Sequence, residues 1–348
     1  MTERRLFHRL VFRAFVLMAI CSSLPAQPQS EMQQIRGPVL GFLFDHKTGI
    51  RPVLGQPGAA TLGRTIRFRI PLENIWFAPG ADFAVAHISG GRGLALLTKL
   101  STAPAISLLE VPTGPSLVAF SPSADSVALF YPNPGRLLVL TGLPDAPQVG
   151  WDFQLAAVEE GLAALAVSDG GRAVLAAAAT APAPVWMVTP RTGQQLLYTA
   201  SPFVSLTFLH SSLDAAIVGG LNGEVVLLRN LGGNNQVVSL NTASEALRHP
   251  VGIAAAGDNR TLFVASAEPP AIVISSADGT RSTTLRCRYP PTRLERMLNG
   301  SLYRISEAGN GPVWLFDATP SNPRILFLPD KLPAERSIPF RSANGGLR

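Results

Sequence analysis

The sequence has little cysteine and little charge. Its 348 residues include two cysteines, Cys21 and Cys287, and only 15% charged residues, against 47% hydrophobic ones. Loss of the N-terminal segment considered below would leave Cys287 as a single thiol, which can form no disulfide within the chain. Because the hydrophobic content is high, we expect a large core and not a disordered chain.

Residues with common catalytic or metal-binding chemistry are also scarce. The chain has five histidines, no His-x-x-x-His or Cys-x-x-Cys pair, and no Gly-x-Ser-x-Gly. The glycine-rich segments 88–97 and 231–236 lie between apolar runs and lack the residues of a phosphate-binding loop. His87 and His210 occupy different positions in the repeat described below. We therefore predict no metal site and no cofactor.

Aspartates recur near the polar turns of the chain. A ring of carboxylates that holds calcium is one interpretation; acceptance of backbone N–H bonds within turns is the other, and we expect the second. The residues concerned are Asp82, Asp125, Asp169, Asp214 and Asp258.

Basic residues outside the N-terminal segment are scattered singly, although the formal net charge is +6. No run of Lys and Arg is interleaved with aromatic residues, as a nucleic-acid groove requires. We therefore predict no nucleic-acid partner.

The first 26 residues predict a secretory signal peptide. A basic start is followed by a short apolar stretch at 14–21 and by small residues that end at Ala26. This stretch is far shorter than the roughly 20 residues of a membrane-spanning helix. We expect cleavage after Ala26, no membrane span afterwards, and export to the periplasm or the extracellular space. A lipoprotein signal at Cys21 and a twin-arginine signal are alternatives.

One pattern recurs along the chain: an apolar run, a tight polar turn and a second apolar run. The segment FSPSADSVALF (120–130) has it most clearly, and the unit 116–153 contains four such runs bounded by turn residues. A repeat of roughly 40 to 50 residues is typical of β-propeller blades, each a four-stranded sheet. No stretch after the signal keeps a helical apolar period, so the prediction is all-β. Equivalent positions are Phe77, Phe120, Val167, Leu209, Ala255 and Leu298.

The hairpin at 38–55 precedes the first full unit and needs partner strands. It matches the last strand pair of the sixth unit, at 312–329. We expect it to pair with C-terminal strands, including 336–340, so that N- and C-terminal strands close the ring and no strand edge is exposed. The sequence thus predicts a single propeller of seven blades, with six blades and an added hairpin as the alternative. It would span residues 38–341, between flexible segments at 27–37 and 342–348.

The turns SPSAD (121–125) and SDGG (168–171) resemble those of WD40-like and YVTN-type bacterial propeller repeats. Residues 37–63 also resemble the start of uncharacterised secreted bacterial propeller proteins. These resemblances imply a ring fold and a binding or scaffolding role. They carry over no catalytic residue, because none of the repeat motifs is catalytic.

We expect a monomeric module that binds a protein or an envelope component and is not an enzyme. The alternatives are a hydrolase or lactonase-like enzyme, or a small-molecule or carbohydrate receptor, at the mouth of the central channel. Alanine-rich inner strands, such as those with Ala164 and Ala216, argue against the polar channel that an enzyme needs. The arginine-rich loop 286–300 is either a solvated loop or a basic rim for an acidic partner. The rim residues would be Arg286, Arg288, Tyr289, Arg293 and Arg296.

Overall fold

The computed structural model describes most of the chain after residue 36. The predicted signal peptide and the predicted strand 336–340 lie outside the described residues. No helix in the described part is long and apolar enough to cross a membrane. The described ranges are 37–156, 158, 161–200, 203–219, 223–240, 244–308, 311–319 and 321–329.

Seven antiparallel sheets form a ring, so the predicted all-β fold and the predicted seven-bladed propeller are confirmed. Within the described ranges, blade 1 has three strands: β1 (Val39–Asp45), β2 (Gly49–Leu54) and β3 (Thr61–Leu62). Blade 2 has four strands, β4 (Leu72–Phe77), β5 (Phe83–Ile88), β6 (Leu94–Thr98) and β7 (Ala105–Leu109). Blade 3 has β8 (Leu117–Phe120), β9 (Ser126–Tyr131), β10 (Arg136–Thr141) and β11 (Gln148–Gln154). Blade 4 has β12 (Leu162–Val167), β13 (Val174–Ala178), β14 (Ala183–Thr189) and β15 (Gly193–Ala200).

Blades 5 to 7 also have four strands each, which pair in chain order. Blade 5 has β16 (Phe203–Phe208), β17 (Ala215–Gly219), β18 (Val225–Arg229) and β19 (Gln236–Leu240). Blade 6 has β20 (His249–Ala255), β21 (Thr261–Glu268), β22 (Ala271–Ser276) and β23 (Ser282–Arg286). Blade 7 has β24 (Glu295–Arg296), β25 (Leu302–Arg304), β26 (Val313–Asp317) and β27 (Arg324–Leu328). Two short 3₁₀ helices occur in the described ranges, Asp169–Gly171 and Ser244–Ala246.

Each sheet buries both of its faces. In β9, Val127 and Leu129 pack against blade 2, whereas Ala128 and Phe130 pack against blade 4. Successive side chains of a strand point to opposite faces, so a sheet between two neighbours needs apolar residues at every position. This explains why the second strands of the blades are continuous apolar runs, as in the fully buried β9.

Seven clusters of buried residues each join two neighbouring blades. The cluster between blades 7 and 1 includes Leu40, Leu43, Met297 and Leu302 and closes the ring. The Asn299 N–H donates to the Leu40 carbonyl at 2.9 Å across the same boundary. The first and last sheets of the described chain therefore pack on each other.

Blade 1 differs in detail from the sequence prediction. Its hairpin pairs with β3, and the described residues add no C-terminal strand to it. Residues of β1 line a cavity together with the first strands of blades 2 and 7, so β1 lies nearer the axis than the third strand at 313–317 with which it was aligned. The misalignment arose because second and third strands are both buried, so their apolar patterns are alike.

Some of the alanines that were predicted to lie in inner strands are in second strands instead. Ala164 and Ala166 are in β12, a first strand, but Ala215 and Ala216 are in β17, the second strand of blade 5. Buried alanines recur in the second strands, where both faces are covered and space is limited. They therefore say little about the polarity of the channel.

The turn between the first and second strands has the same bond in six blades. A backbone N–H donates to the carbonyl five residues later, from Ala78, Ser121, Ser168, Leu209, Ala256 and Met297. These bonds correct the register of the repeat. Phe208 and Arg296, and not Leu209 and Leu298, occupy the position of Phe77 and Phe120.

These turns also bond to one another across blades. The Asp169 carboxylate accepts from the Ser123 N–H at 2.8 Å and hydroxyl at 2.7 Å in blade 3, and from the Ser211 N–H at 2.6 Å in blade 5. The Asn259 side chain accepts from the His210 N–H at 2.8 Å and donates to its carbonyl at 2.7 Å. Asp169 is buried, so its charge is stabilised by these donors and not by water.

The structural interpretation of the recurrent aspartates is confirmed. Asp125 accepts from the Gly170 N–H at 2.9 Å, and Asp82, Asp214 and Asp258 each accept a nearby backbone N–H. Burial acts to raise the pKa of Asp125, but the bonds from Gly170, Ser126 and Ser121 outweigh it, and the pKa is lowered. These carboxylates hold turns together.

We expect Asp169→Ala to lower the free energy of unfolding by about 2–4 kcal/mol, because it leaves backbone N–H groups of two other blades without an acceptor. Asp214→Ala is the matched control, since Asp214 accepts from Asn230 of its own blade. Urea unfolding of both variants measures the difference. Equal losses would contradict a special role for bonds between blades.

Candidate functional site

The structure divides the five predicted rim residues between two places. Arg286, Arg288 and Tyr289 are exposed, at the end of β23 and in the linker that follows. Arg293 and Arg296 are half-buried and line a cavity near the axis of the ring. These residues do not form one continuous rim, and their role in partner binding stays a prediction.

An exposed aromatic patch forms around the outer group. We call Tyr289, Trp314 and Phe327, with Arg288 beside them, the aromatic patch. The ring centroid of Trp314 lies 5.0 Å from that of Tyr289 and 5.5 Å from that of Phe327. The Arg288 guanidinium lies 5.7 Å from the Tyr289 centroid, within the range of a cation–π contact. Tyr289 is 49% exposed and Phe327 is 56% exposed, so both present the patch to solvent.

The backbone holds the patch in place. Trp314 and Phe327 face each other directly on the paired strands β26 and β27. The linker that carries Tyr289 is fixed on both sides, by the Cys287 N–H to the Pro270 carbonyl and by the Thr292 N–H to the Ile305 carbonyl, each at 2.9 Å. The aromatic rings are therefore positioned before any partner arrives.

Sequence reasoning missed two members of this patch. Trp314 lies within an apolar run, which is the pattern of a core residue, and Phe327 lies in a similar run. The signal was available, because counting outward from the turn 318–323 places these two residues opposite each other. Other exposed apolar side chains lie singly on outer strands: Leu108, Val149, Leu196 and Val237.

The inner group belongs to a charged cluster. Arg293 pairs with Glu295 at 2.7 Å and also with Glu307, and Arg304 pairs with Glu295. Burial lowers the pKa of Arg293, and the nearby charge of Arg304 acts in the same direction. The Arg293 Nε is buried and has no hydrogen-bond partner among the residues that the structure describes.

Arg296 reaches across the channel to another blade. Its guanidinium donates to Nε2 of His210 at 2.7 Å and its Nε to the Gly300 carbonyl at 3.2 Å. Burial lowers the pKa of His210, and the charge of Arg296 lowers it further, against an opposing effect of Asp169. His210 is therefore a neutral acceptor that links blades 5 and 7.

The other residues with possible catalytic or metal-binding chemistry do not cluster with one another. His87 Nδ1 is 3.0 Å from Glu73, in a different blade from His210. Within the described ranges, no group of three His, Cys, Asp or Glu side chains could hold a metal ion. Burial raises the pKa of the Cys287 thiol to about 11, so it is protonated and unreactive at neutral pH.

The chain is similar to several solved structures in fold alone. A "putative 6-phosphogluconolactonase" from Bacteroides uniformis is 15% identical with a TM-score of 0.53, over 83% of this chain and 94% of that one. Hydrazine synthase from Kuenenia stuttgartiensis is 10% identical with a TM-score of 0.50, over 74% and 79%.

A functionally unknown protein from Desulfotomaculum acetoxidans is 11% identical with a TM-score of 0.50, over 68% and 75%. No known family and no curated protein matches the chain. The finer resemblance, to YVTN-type and secreted propellers, stays a prediction.

The His210 contact predicts a dependence of stability on pH. The folded pKa of His210 lies below the ordinary value of about 6.5, so the unfolded chain takes up the proton first. The contribution of neutral His210 to the free energy of unfolding is thus complete above about pH 6.5 and is lost as the pH falls. In His210→Gln, whose side chain stays neutral, we expect a smaller loss of unfolding free energy between about pH 7.5 and pH 5.5.

Urea unfolding at both pH values measures this loss, and His249→Gln, at an exposed histidine, is the control. An unchanged pH dependence in His210→Gln would contradict the assignment.

Proposed function

We propose that the chain is an exported propeller that binds a protein or an envelope component through the aromatic patch. The observation that carries this proposal is the cluster of Tyr289, Trp314 and Phe327 with Arg288 at its edge. Exposed apolar clusters on soluble proteins mark interaction sites more often than isolated apolar residues do.

The composition of the patch suits a protein partner. Tyr, Trp and Arg are the residue types that contribute most binding energy at protein interfaces. Aromatic rings bury large areas at a small cost in side-chain entropy, and the fixed linker lowers that cost further. A partner with an apolar anchor and a flanking carboxylate would fit, because Arg286 and Arg288 are exposed beside the rings.

The alternative is an enzyme or small-molecule receptor at the mouth of the channel. In its favour are a cavity of about 470 Å³ lined by charged residues, among them Arg293 and Arg304, and the fold likeness to the lactonase-named protein. That likeness is at 15% identity and extends to the fold alone. The charged residues around the cavity are moreover largely paired with one another.

The test compares capture by the wild type and by a double variant, Tyr289→Ala with Phe327→Ala. Immobilised protein would be exposed to an envelope extract and the bound proteins identified and quantified by mass spectrometry. We expect the double variant to lose at least about tenfold of the stoichiometric partner, since two anchors of roughly 1 kcal/mol or more each are removed.

The control is Leu108→Ala with Leu196→Ala, which removes two exposed apolar side chains elsewhere on the ring. Capture should be unchanged in this control. If the patch variant captures as much as the wild type, the patch is not the site, and the channel mouth becomes the better candidate.

Export is tested separately. When the full chain is produced in a bacterial host, we expect it outside the cytoplasm, with an intact mass that corresponds to a start at Gln27. A chain that keeps residues 1–26 in the cytoplasmic fraction would contradict export.

A further inference from the structure

A second cavity lies on the face of the ring that carries the turns after the first strands. It extends over blade 4, from Trp151 of β11 in blade 3 to the turn 230–235 of blade 5, and we call it the blade 4 cleft. Its volume is about 840 Å³. Small-molecule sites are typically cavities of about 300–1,000 Å³ with a few placed polar groups. The blade 4 cleft therefore has the size of a ligand site.

The charge of the cleft comes from two exposed arginines. Arg172 lies in the turn between β12 and β13, and Arg191 lies in the turn between β14 and β15. No Asp or Glu is among the described residues that line the cleft, and neither arginine forms an ion pair with a described carboxylate. The Arg172 Nε donates to the Asp169 carbonyl at 3.3 Å, and the terminal nitrogens of its guanidinium remain for other acceptors. Two positive charges are thus available to an anionic ligand.

Blade 6 carries arginines in the same two turns, Arg260 and Arg281, but with different neighbours. There the exposed Asp258 and Asp278 lie in the turns and accept backbone N–H groups of Arg260 and Thr280. Carboxylates therefore offset the positive charge of the blade 6 turns. In blade 4 the carboxylate of the first turn is the buried Asp169, which is taken up by bonds to blades 3 and 5, and the second turn has none.

The uncharged part of the cleft suits a sugar ring. Trp151 contributes an aromatic surface, and its Nε1 donates to the Gly171 carbonyl at 2.6 Å, which fixes the position of the ring. Leu213 adds apolar surface, and the amides of Gln195 and Asn235 add groups that can donate and accept. A saccharide has apolar ring faces and a rim of hydroxyl groups, so it can use both kinds of surface at once.

We propose that the blade 4 cleft binds an acidic saccharide. Arg172 and Arg191 hold the carboxylate or phosphate of this ligand, because a guanidinium presents its N–H groups as a planar fork that matches either anion. Trp151 and the amide side chains contact its sugar rings. A neutral saccharide would leave both arginines unpaired, and a simple anion would make no use of the rings. The cleft shares no residue with the aromatic patch, so this inference does not rest on the proposed function.

The first test compares acidic saccharides with matched neutral forms by titration calorimetry on the full chain. The probes are trigalacturonate with its methyl ester, and glucose 6-phosphate with glucose; inorganic phosphate represents a simple anion. We expect at least one acidic saccharide to bind at least about tenfold more tightly than its neutral form and than inorganic phosphate, because charge-assisted hydrogen bonds are worth at least that factor. Comparison of the two acidic probes distinguishes a carboxylate ligand from a phosphate ligand.

No binding of either acidic saccharide would overturn the proposal, and so would equal binding of the neutral forms. Inorganic phosphate that binds as tightly as the acidic saccharides would also overturn it, in favour of a site for simple anions.

Paired arginine variants locate the bound saccharide. Arg172→Ala with Arg191→Ala should weaken binding at least about tenfold, because the charge-assisted hydrogen bonds are lost. Arg260→Ala with Arg281→Ala removes the same charge from the equivalent turns of blade 6 and should leave the Kd unchanged. Equal losses in the two double variants would overturn the proposal, because the net charge of the chain and not the cleft would then attract the ligand.

A steric variant fills the cleft without straining the backbone. Gly233 lines the cleft and has no left-handed φ, and a Cβ there would meet only the Asn230 carbonyl, at 3.8 Å. We therefore expect Gly233→Trp to keep the Tm of the wild type and to abolish binding of the acidic saccharide. Binding that persists in this variant would place the ligand outside the cleft and overturn the proposal.

Discussion

The constraint on which the structure depends is that every sheet must cover two apolar faces. A single four-stranded sheet with alternate side chains on both faces, such as Leu129 and Phe130 in β9, leaves one face in water unless a neighbour lies on each side. A row of such sheets always has two uncovered ends, and closing the row into a ring removes them. The cluster between blades 7 and 1, with Leu43 and Leu315, performs this closure. Among the described residues, the exposed large apolar side chains lie on outer strands and in the linker that carries Tyr289.

Ring closure also explains the polar contacts near the axis. The first strands converge there, so the turns that follow them approach one another closely. Backbone N–H groups in this crowded region need acceptors, since an unsatisfied buried donor costs roughly 1–3 kcal/mol. Asp169, Asp125 and Asn259 supply them, each to a neighbouring blade. Asn259 suits its position for a second reason besides its hydrogen bonds. Its φ of 57° is left-handed, and asparagine tolerates that conformation better than most residues.

The sequence was sufficient to predict the fold because turn residues and apolar runs recur at a nearly constant spacing. It was insufficient for details that depend on contacts between blades. Asp169 and Asp125 occupy different positions of their turns, and each accepts a hydrogen bond from a neighbouring blade, which no single-blade pattern reveals. The partial exposure of Trp314 could not be predicted, because periodicity shows that a residue is apolar and not which part of its strand a neighbouring blade leaves uncovered. The division of Arg288 and Arg296 between two sites depends on the path of one linker across the blade, and sequence spacing does not define that path.

The position of the aromatic patch follows from the same packing. Beneath it, the interface of blades 6 and 7 contains Phe263, Tyr303 and Phe316, whose ring centroids lie 5.2 to 5.9 Å apart. Tyr303 is almost fully buried in this cluster, and this burial raises the pKa of its hydroxyl to about 12. Trp314 and Phe316 are on the same face of β26, so the surface rings continue a buried aromatic cluster. A surface supported in this way has few alternative side-chain arrangements, and a partner therefore loses less entropy on binding it than on binding a flexible loop. The packing of blade 7 on blade 6 thus also provides a rigid support for the patch.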